Sequence, residues 1–169
     1  LDDILSKPRA GRAGRLFAPD IEAAAVLRAH DAPLCSMESD TPLAALDAIG
    51  FSITHELCYT NVLYILDLGN IPLRAAERAK SREKWPLVMA GGGCTLAAEP
   101  LAPFIDIMFL GEGEEMVGET LAILEVYKQA GKHGPEHREA MPREMAPVPG
   151  RSGPGLFGPG PGNAPSPEV

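Results

Sequence analysis

The sequence predicts an α/β fold, a parallel sheet flanked by helices, and two stretches carry that prediction. The apolar run Pro86-Leu87-Val88-Met89 stops at Ala90-Gly91-Gly92-Gly93-Cys94-Thr95. A second run, Ile105-Asp106-Ile107-Met108-Phe109-Leu110, stops at Gly111-Glu112-Gly113-Glu114-Glu115. Each is long enough for one buried strand, ends at glycines and leads into a helix-like segment. Two such units in tandem gather their glycine loops at the carboxyl ends of the strands, the edge where open α/β sheets bind ligands.

The remaining elements follow in order. Arg15-Leu16-Phe17 reads as the end of a short strand. A helix is expected over Pro19 to His30, with Asp20 and Glu22 at its positive end and an apolar stripe of Ile21, Ala24, Ala25 and Leu27. Pro33 to Met37 suits a short edge strand, and Thr41-Pro42-Leu43 a brief helical turn with Thr41 as cap. Ala48 to Ile53 has apolar side chains on both faces, as a central parallel strand requires. Thr60 to Leu68 is a helix closed by Gly69. Leu73 to Lys84 is charged and helix-prone, hence a solvated surface helix, and an amphipathic helix runs from Glu114 to about Gln129. The core is predicted to contain Ile49, Phe51, Ile53, Leu87, Val88, Ile107 and Phe109.

Charge narrows the partners. The chain of 169 residues carries 15 Lys+Arg against 23 Asp+Glu, a net charge of −8. The basic cluster from Lys7 to Arg15 holds only four cations, so nucleic acid and anionic membrane surfaces are not expected partners. No apolar run approaches the roughly 20 residues of a membrane span. Leu1 to Arg15 lacks the apolar core of a signal peptide. These features point to a cytoplasmic protein. Cys35, Cys58 and Cys94 match neither a disulfide framework nor a zinc or iron–sulfur spacing. They read as three reduced thiols.

The composition changes after Gly131. Met141 to Val169 contains eight prolines in 29 residues, and Gly150 to Gly162 contains six glycines. Such a segment cannot offset the entropy of ordering itself. Residues 151–169 are therefore expected to be a disordered tail, read either as the product of a frameshift or as a natural flexible linker.

Gly91-Gly92-Gly93, Asp106 and Gly111-Glu112-Gly113-Glu114 together resemble the cobalamin-binding-type N-terminal domain of B12-dependent radical SAM proteins. A signature similar to an uncharacterised bacterial branch of that group adds to them. It comprises Phe51-Ser52-Ile53, Glu56-Leu57, Tyr59-Thr60-Asn61-Val62-Leu63, Leu66-Asp67-Leu68 and Ile71 to Arg78, with Phe17-Ala18-Pro19 upstream. The resemblance implies a Rossmann-like, flavodoxin-like domain over residues 15–130, preceded by an incomplete segment, 1–14, with the first strand absent. It also implies a linker over 131–150 toward a radical SAM domain that carries the 4Fe–4S cluster and S-adenosylmethionine and is not in this chain. On this reading the chain is an accessory domain, not catalytic alone, whose partners are that domain and an unknown substrate. Cobalamin would be bound weakly or not at all.

The cofactor residues implied by the resemblance are Ser52, Thr54, Gly91, Gly92, Gly93, Gly111 and Glu112. The sequence departs from the family in lacking the Asp-x-His-x-x-Gly loop whose histidine ligates cobalt. Thr54 also stands where the Ser-x-Leu element has leucine.

Plainer readings compete with these. Glycines 91–93 suit a tight turn as well as a loop lining a cleft. Gly111 to Met116 nearly spells a dinucleotide fingerprint, but Met116 replaces its last glycine. Glu112, Glu114 and Glu115 would oppose a pyrophosphate and suit a helix N-terminus, with Glu112 alternatively facing the cleft. His55 and Cys58 share a helical face, yet no second pair completes a metal site. Tyr59 and Asn61 fall just past a strand end. The alternative to the cobalamin-type reading is a cofactor-free docking module of the same fold. A flavin or nucleotide binder is disfavoured by the acidic loop.

Overall fold

Three short parallel strands, β1 (Ala48–Ser52), β2 (Leu87–Gly91) and β3 (Ile107–Phe109), form the sheet in that order. The computed structural model describes residues 13–97, 99–110, 114–131 and 151–152. β1 runs alongside β2 with Ala48 opposite Leu87 and Ser52 opposite Gly91, while Met89 and Ala90 face Ile107 and Met108. A two-residue strand, β4 (Arg151–Ser152), pairs antiparallel with β3. The helices are α1 (Ile21–Ala29), α2 (Tyr59–Leu68), α3 (Ala75–Lys80) and α4 (Glu114–Gln129).

Period-two alternation sends the strand side chains to two cores. On one face Ile49, Ile53, Val88, Ala90 and Met108 pack with Val62, Ile65 and Leu66 of α2 and with Leu34 and Leu43. On the other, Leu87, Met89, Ile107 and Phe109 meet Met116 and Tyr127 of α4. Six of the seven predicted core residues are buried, and Phe51 is half-buried.

Several expectations need correction. Among the described residues β1 is an edge strand rather than a central one, and its Gly50 and Ser52 are exposed. Residues 15–17 form no strand, and Pro33 to Met37 contributes only a single bridge between Cys35 and Pro42. The turn after Pro42 is a 3₁₀ turn, Leu43–Ala45, with no side-chain cap. Thr41 instead hydrogen-bonds Ser39 through its hydroxyl.

Asp20 does cap α1, its carboxylate accepting the Ala23 N–H at 2.7 Å. Of the expected stripe only Ala24 is buried, and Ile21 is 86% exposed. Helix α2 ends without a left-handed Gly69 (φ −81°); Asn70 takes that conformation (φ 55°). Space at 69 is tight, since a Cβ there would lie 3.1 Å from Leu43 Cβ and 3.2 Å from the Ile65 carbonyl oxygen. The boundary segment 1–12, the linker 132–150 and the tail 153–169 lie outside the described residues. Residues 151–152, read from sequence as part of a disordered tail, form β4.

The largest departure is α3. Rather than lying on a solvated face, Arg78 is fully buried and its guanidinium sits 3.1 Å from the Asp106 carboxylate. It donates to the carbonyls of Pro72, Leu73 and Phe104 at 2.7–2.8 Å. Asp106 in turn accepts the Val88 N–H at 2.8 Å through its side chain. Its own N–H donates to the Val88 carbonyl at 2.8 Å.

Removing one partner leaves a buried charge uncompensated, so Asp106→Ala should cost about 3–5 kcal/mol by urea denaturation. The double replacement Arg78→Met, Asp106→Leu should be markedly less damaging than the sum of the two single changes.

A second, half-exposed cluster is centred on Asp47, whose carboxylate takes Lys84 at 2.7 Å and Lys128 of α4 at 2.8 Å. Partial burial raises the Asp47 carboxyl, but the Lys128 and Lys84 ammoniums outweigh it and hold it below its ordinary value. The folded carboxylate therefore binds its proton less readily than the unfolded one. Its contribution is present above about pH 4 and is lost as the pH falls through the lowered value. Asp47→Asn should cost less than about 1 kcal/mol at pH 7. In denaturation across pH, the gap to the parent chain should close below about pH 4.

Candidate functional site

Parallel strands leave their carboxyl ends and the loops that follow them on one edge, so the loops after β1 and β2 are neighbours by construction. Backbone bonds join them directly. The Ile53 N–H donates to the Gly91 carbonyl at 2.7 Å, and the Cys94 N–H donates to the Ile53 carbonyl at 3.1 Å. Ile53 itself is buried, while its flanking residues Ser52 and Thr54 are exposed. The β1 loop then makes one 3₁₀ turn, Glu56–Cys58, and enters α2. Beyond the glycines the β2 loop continues into the turn Thr95–Ala97, where the Thr95 hydroxyl donates to the Gly92 carbonyl at 2.8 Å. The Tyr59 hydroxyl fastens α2 to this second loop by donating to the Ala97 carbonyl at 3.0 Å.

The three glycines differ in what they do. Gly92 has φ +117°, and a Cβ on it would stand 2.6 Å from the Ile53 carbonyl oxygen. Its missing side chain makes room for the neighbouring loop rather than for a ligand, so its role is backbone closure. Gly91 faces Phe109, whose Cβ would be in ordinary contact with an added methyl at 3.5 Å. Gly93 is exposed, with nothing within 4 Å of an added Cβ. Of the seven sequence-identified residues, Ser52, Thr54, Gly91, Gly92 and Gly93 thus meet at one edge. Gly111 and Glu112 lie outside the described residues. Asn61 belongs elsewhere, to a shallow groove with Asp20, Arg28 and Tyr64 between α1 and α2.

The titratable groups at this edge interact. The Cys58 sulfur lies 3.5 Å and 3.6 Å from the two ring nitrogens of His55, and 3.8 Å from the Thr54 hydroxyl. Glu56 receives its own backbone N–H and then the Cys94 thiol, which hold its carboxyl below the usual range. Desolvation and then the Glu56 carboxylate push the Cys94 thiol up. Desolvation first, then Cys94 and Glu56, raise the Tyr59 hydroxyl. Among the described residues no group of three His, Cys, Asp or Glu side chains could hold a metal ion.

Sequence reasoning placed His55 and Cys58 on one turn but missed Cys94 and Glu56 as their neighbours. The signal was available: both glycine-terminated and apolar runs end at the same sheet edge, so the first polar residues past each run must approach one another.

The divided roles of the glycines can be checked by denaturation. Gly92→Ala should cost about 2 kcal/mol or more, from the positive φ and the clash with Ile53. Gly93→Ala should stay within about 0.5 kcal/mol of the parent.

Residues 2–154 match the family of radical SAM proteins, N-terminal. No curated protein and no solved structure matches the chain.

Proposed function

The chain belongs to the family of radical SAM protein N-terminal domains, and from that premise we propose that it serves as the accessory, ligand-presenting domain of a radical SAM protein. Its ligand would be a cobalamin-type ring lying against the carboxyl edge of the sheet. The observation that supports this most is the grouping of exposed Ser52, Thr54 and Gly93 over two joined loops. Two hydroxyls can hydrogen-bond amide side arms of such a ring, and Gly93 lets the backbone approach it closely.

The fit is confined to the periphery of that ligand. No described histidine stands in the loop context that ligates cobalt, and Phe109 lies beside Gly91 on the sheet. When bound, cobalamin supplies methyl-carrying or radical-assisting chemistry. The role of this chain is to hold and orient the ring while the 4Fe–4S cluster and S-adenosylmethionine belong to the catalytic domain.

A second reading is favoured by a separate observation. Phe17, Ile21, Val26, Met37 and Leu57 are all large, apolar and 58–86% exposed. A cofactor-free docking module would use such residues against the catalytic domain.

Titration of the chain with hydroxocobalamin, followed by its visible spectrum, separates the two. The ligand reading expects weak saturable binding with no histidine-ligated band, lost in the double variant Ser52→Val, Gly93→Val. No saturable change up to about 1 mM, a threshold near −4 kcal/mol of binding, would leave the docking module standing. A tight, histidine-ligated complex would contradict both the loop geometry and the peripheral fit.

A further inference from the structure

Helix α1 carries an apolar outer face that the fold does not use. Ala24 is buried and Leu27 half-buried, while Ile21, Ala25, Val26 and Ala29 are all exposed. A helix that is apolar beyond its core-facing stripe is ordinarily covered on the second face as well. Two charges border that face. Glu22 is exposed and makes no ion pair among the described residues. Arg28 donates to Asp67 at 2.6 Å, with more than half of its side chain exposed.

These positions are symmetric about one residue. At about 100° per residue, Ile21 and Ala29 fall about 40° to either side of Ala25, and Glu22 and Arg28 about 60° to either side. Along the axis the first two lie four residues from Ala25 and the second two lie three. A two-fold interface between antiparallel copies of a helix brings positions equidistant from its centre level with one another. Opposite charges at equal distances from Ala25 therefore make α1 complementary to itself. An unrelated partner would need no such symmetry.

We propose that α1 is the seam of a two-fold symmetric dimer of this chain, formed by an antiparallel pair of α1 helices that cross at Ala25.

In that pair Ile21 stands level with the partner's Ala29, and Glu22 with the partner's Arg28. Small side chains at the crossing let the helix axes approach to about 8 Å. The seam is one methyl group deep, so the long Glu22 and Arg28 side chains reach across it, and Val26 borders it on the Glu22 side. A guanidinium has five N–H donors, so Arg28 can hold a second carboxylate without releasing Asp67.

Magnitudes set the strength. Each chain carries a net charge of −8, which opposes association at long range. In physiological salt the Debye length is about 8 Å, so that repulsion is largely screened while the pairs across the seam are not. A nine-residue helix buries less than the roughly 1,200–2,000 Å² of stable complexes, so the dimer is weak, dissociating on the order of 0.1 mM. This occupant accounts for Ile21 and Val26. Phe17, Met37 and Leu57 stay available to a catalytic domain, and no residue of the carboxyl edge takes part.

Sedimentation of the full chain in physiological salt, from about 10 µM to 1 mM, should show a monomer–dimer equilibrium. Ala25→Glu sets two carboxylates against each other at the crossing and should keep the chain monomeric over that range. Its circular dichroism should be unchanged, because the position is exposed. Glu22→Arg and Arg28→Glu should each weaken self-association at least about tenfold, by placing like charges level with one another. Mixed in equal amounts, these two variants should associate as the parent does, since every level pair is again opposite in sign. A folding defect in either variant cannot produce that recovery. The proposal is overturned if the parent stays monomeric throughout, which leaves the face to the catalytic domain. It is equally overturned by a dimer that survives Ala25→Glu, or by a mixture that associates no better than its components.

Discussion

The buried contact between Arg78 and Asp106 fixes how the two glycine-terminated strands meet. Asp106 precedes β3 and exchanges two hydrogen bonds with Val88, one from its backbone N–H and one to its carboxylate. β2 and β3 share only two register pairs, so this anchor does much to set their alignment. The guanidinium on the other side neutralises the carboxylate and gathers three carbonyls from the segments before α3 and before β3. Burying two ions costs several kcal/mol each unless their hydrogen bonds are met. Here the charge pair and carbonyl acceptors meet most of that cost. Helix α3 has six residues, too few to persist alone, and it is held by this side chain rather than by propensity.

That arrangement explains what was legible in the sequence and what was not. Strands β2 and β3 could be read because they are buried on both faces, giving continuous apolar runs that glycines cut off. Helix α4 could be read because Met116 and Tyr127 pack on the sheet while Glu119, Glu125 and Gln129 stay exposed. Arg78 could not be read, because its neighbourhood is charged and its burial depends on Asp106, 28 residues later. β1 misled in the opposite way. Its apolar side chains suggested a central strand, but Gly50 and Ser52 face solvent while Ile49 and Ile53 supply the buried positions. The apolar stripe of α1 overstated burial, since a helix lying on a small core buries only what the core reaches, here Ala24 and part of Leu27.

At the carboxyl edge of the sheet the sequence does not show how neighbouring glycines differ. Three consecutive glycines look equivalent in one dimension. In the structure Gly91 abuts Phe109, Gly92 abuts the Ile53 backbone and Gly93 opens outward. A positive φ and a 2.6 Å approach are consequences of how two loops nest, and no local pattern announces them.

Nesting also determines which side chains meet. Because the loop after β2 folds onto Ile53, the residue that follows the glycines is delivered to the start of the β1 loop. Cys94 is held there by its backbone N–H on the Ile53 carbonyl, while Cys58 meets Thr54 and His55 through its side chain. Groups positioned by a closed backbone frame hold their spacing better than groups on long free loops. The same glycine that the fold needs at position 92 is thus the reason a polar, sulfur-bearing surface forms at the end of the sheet.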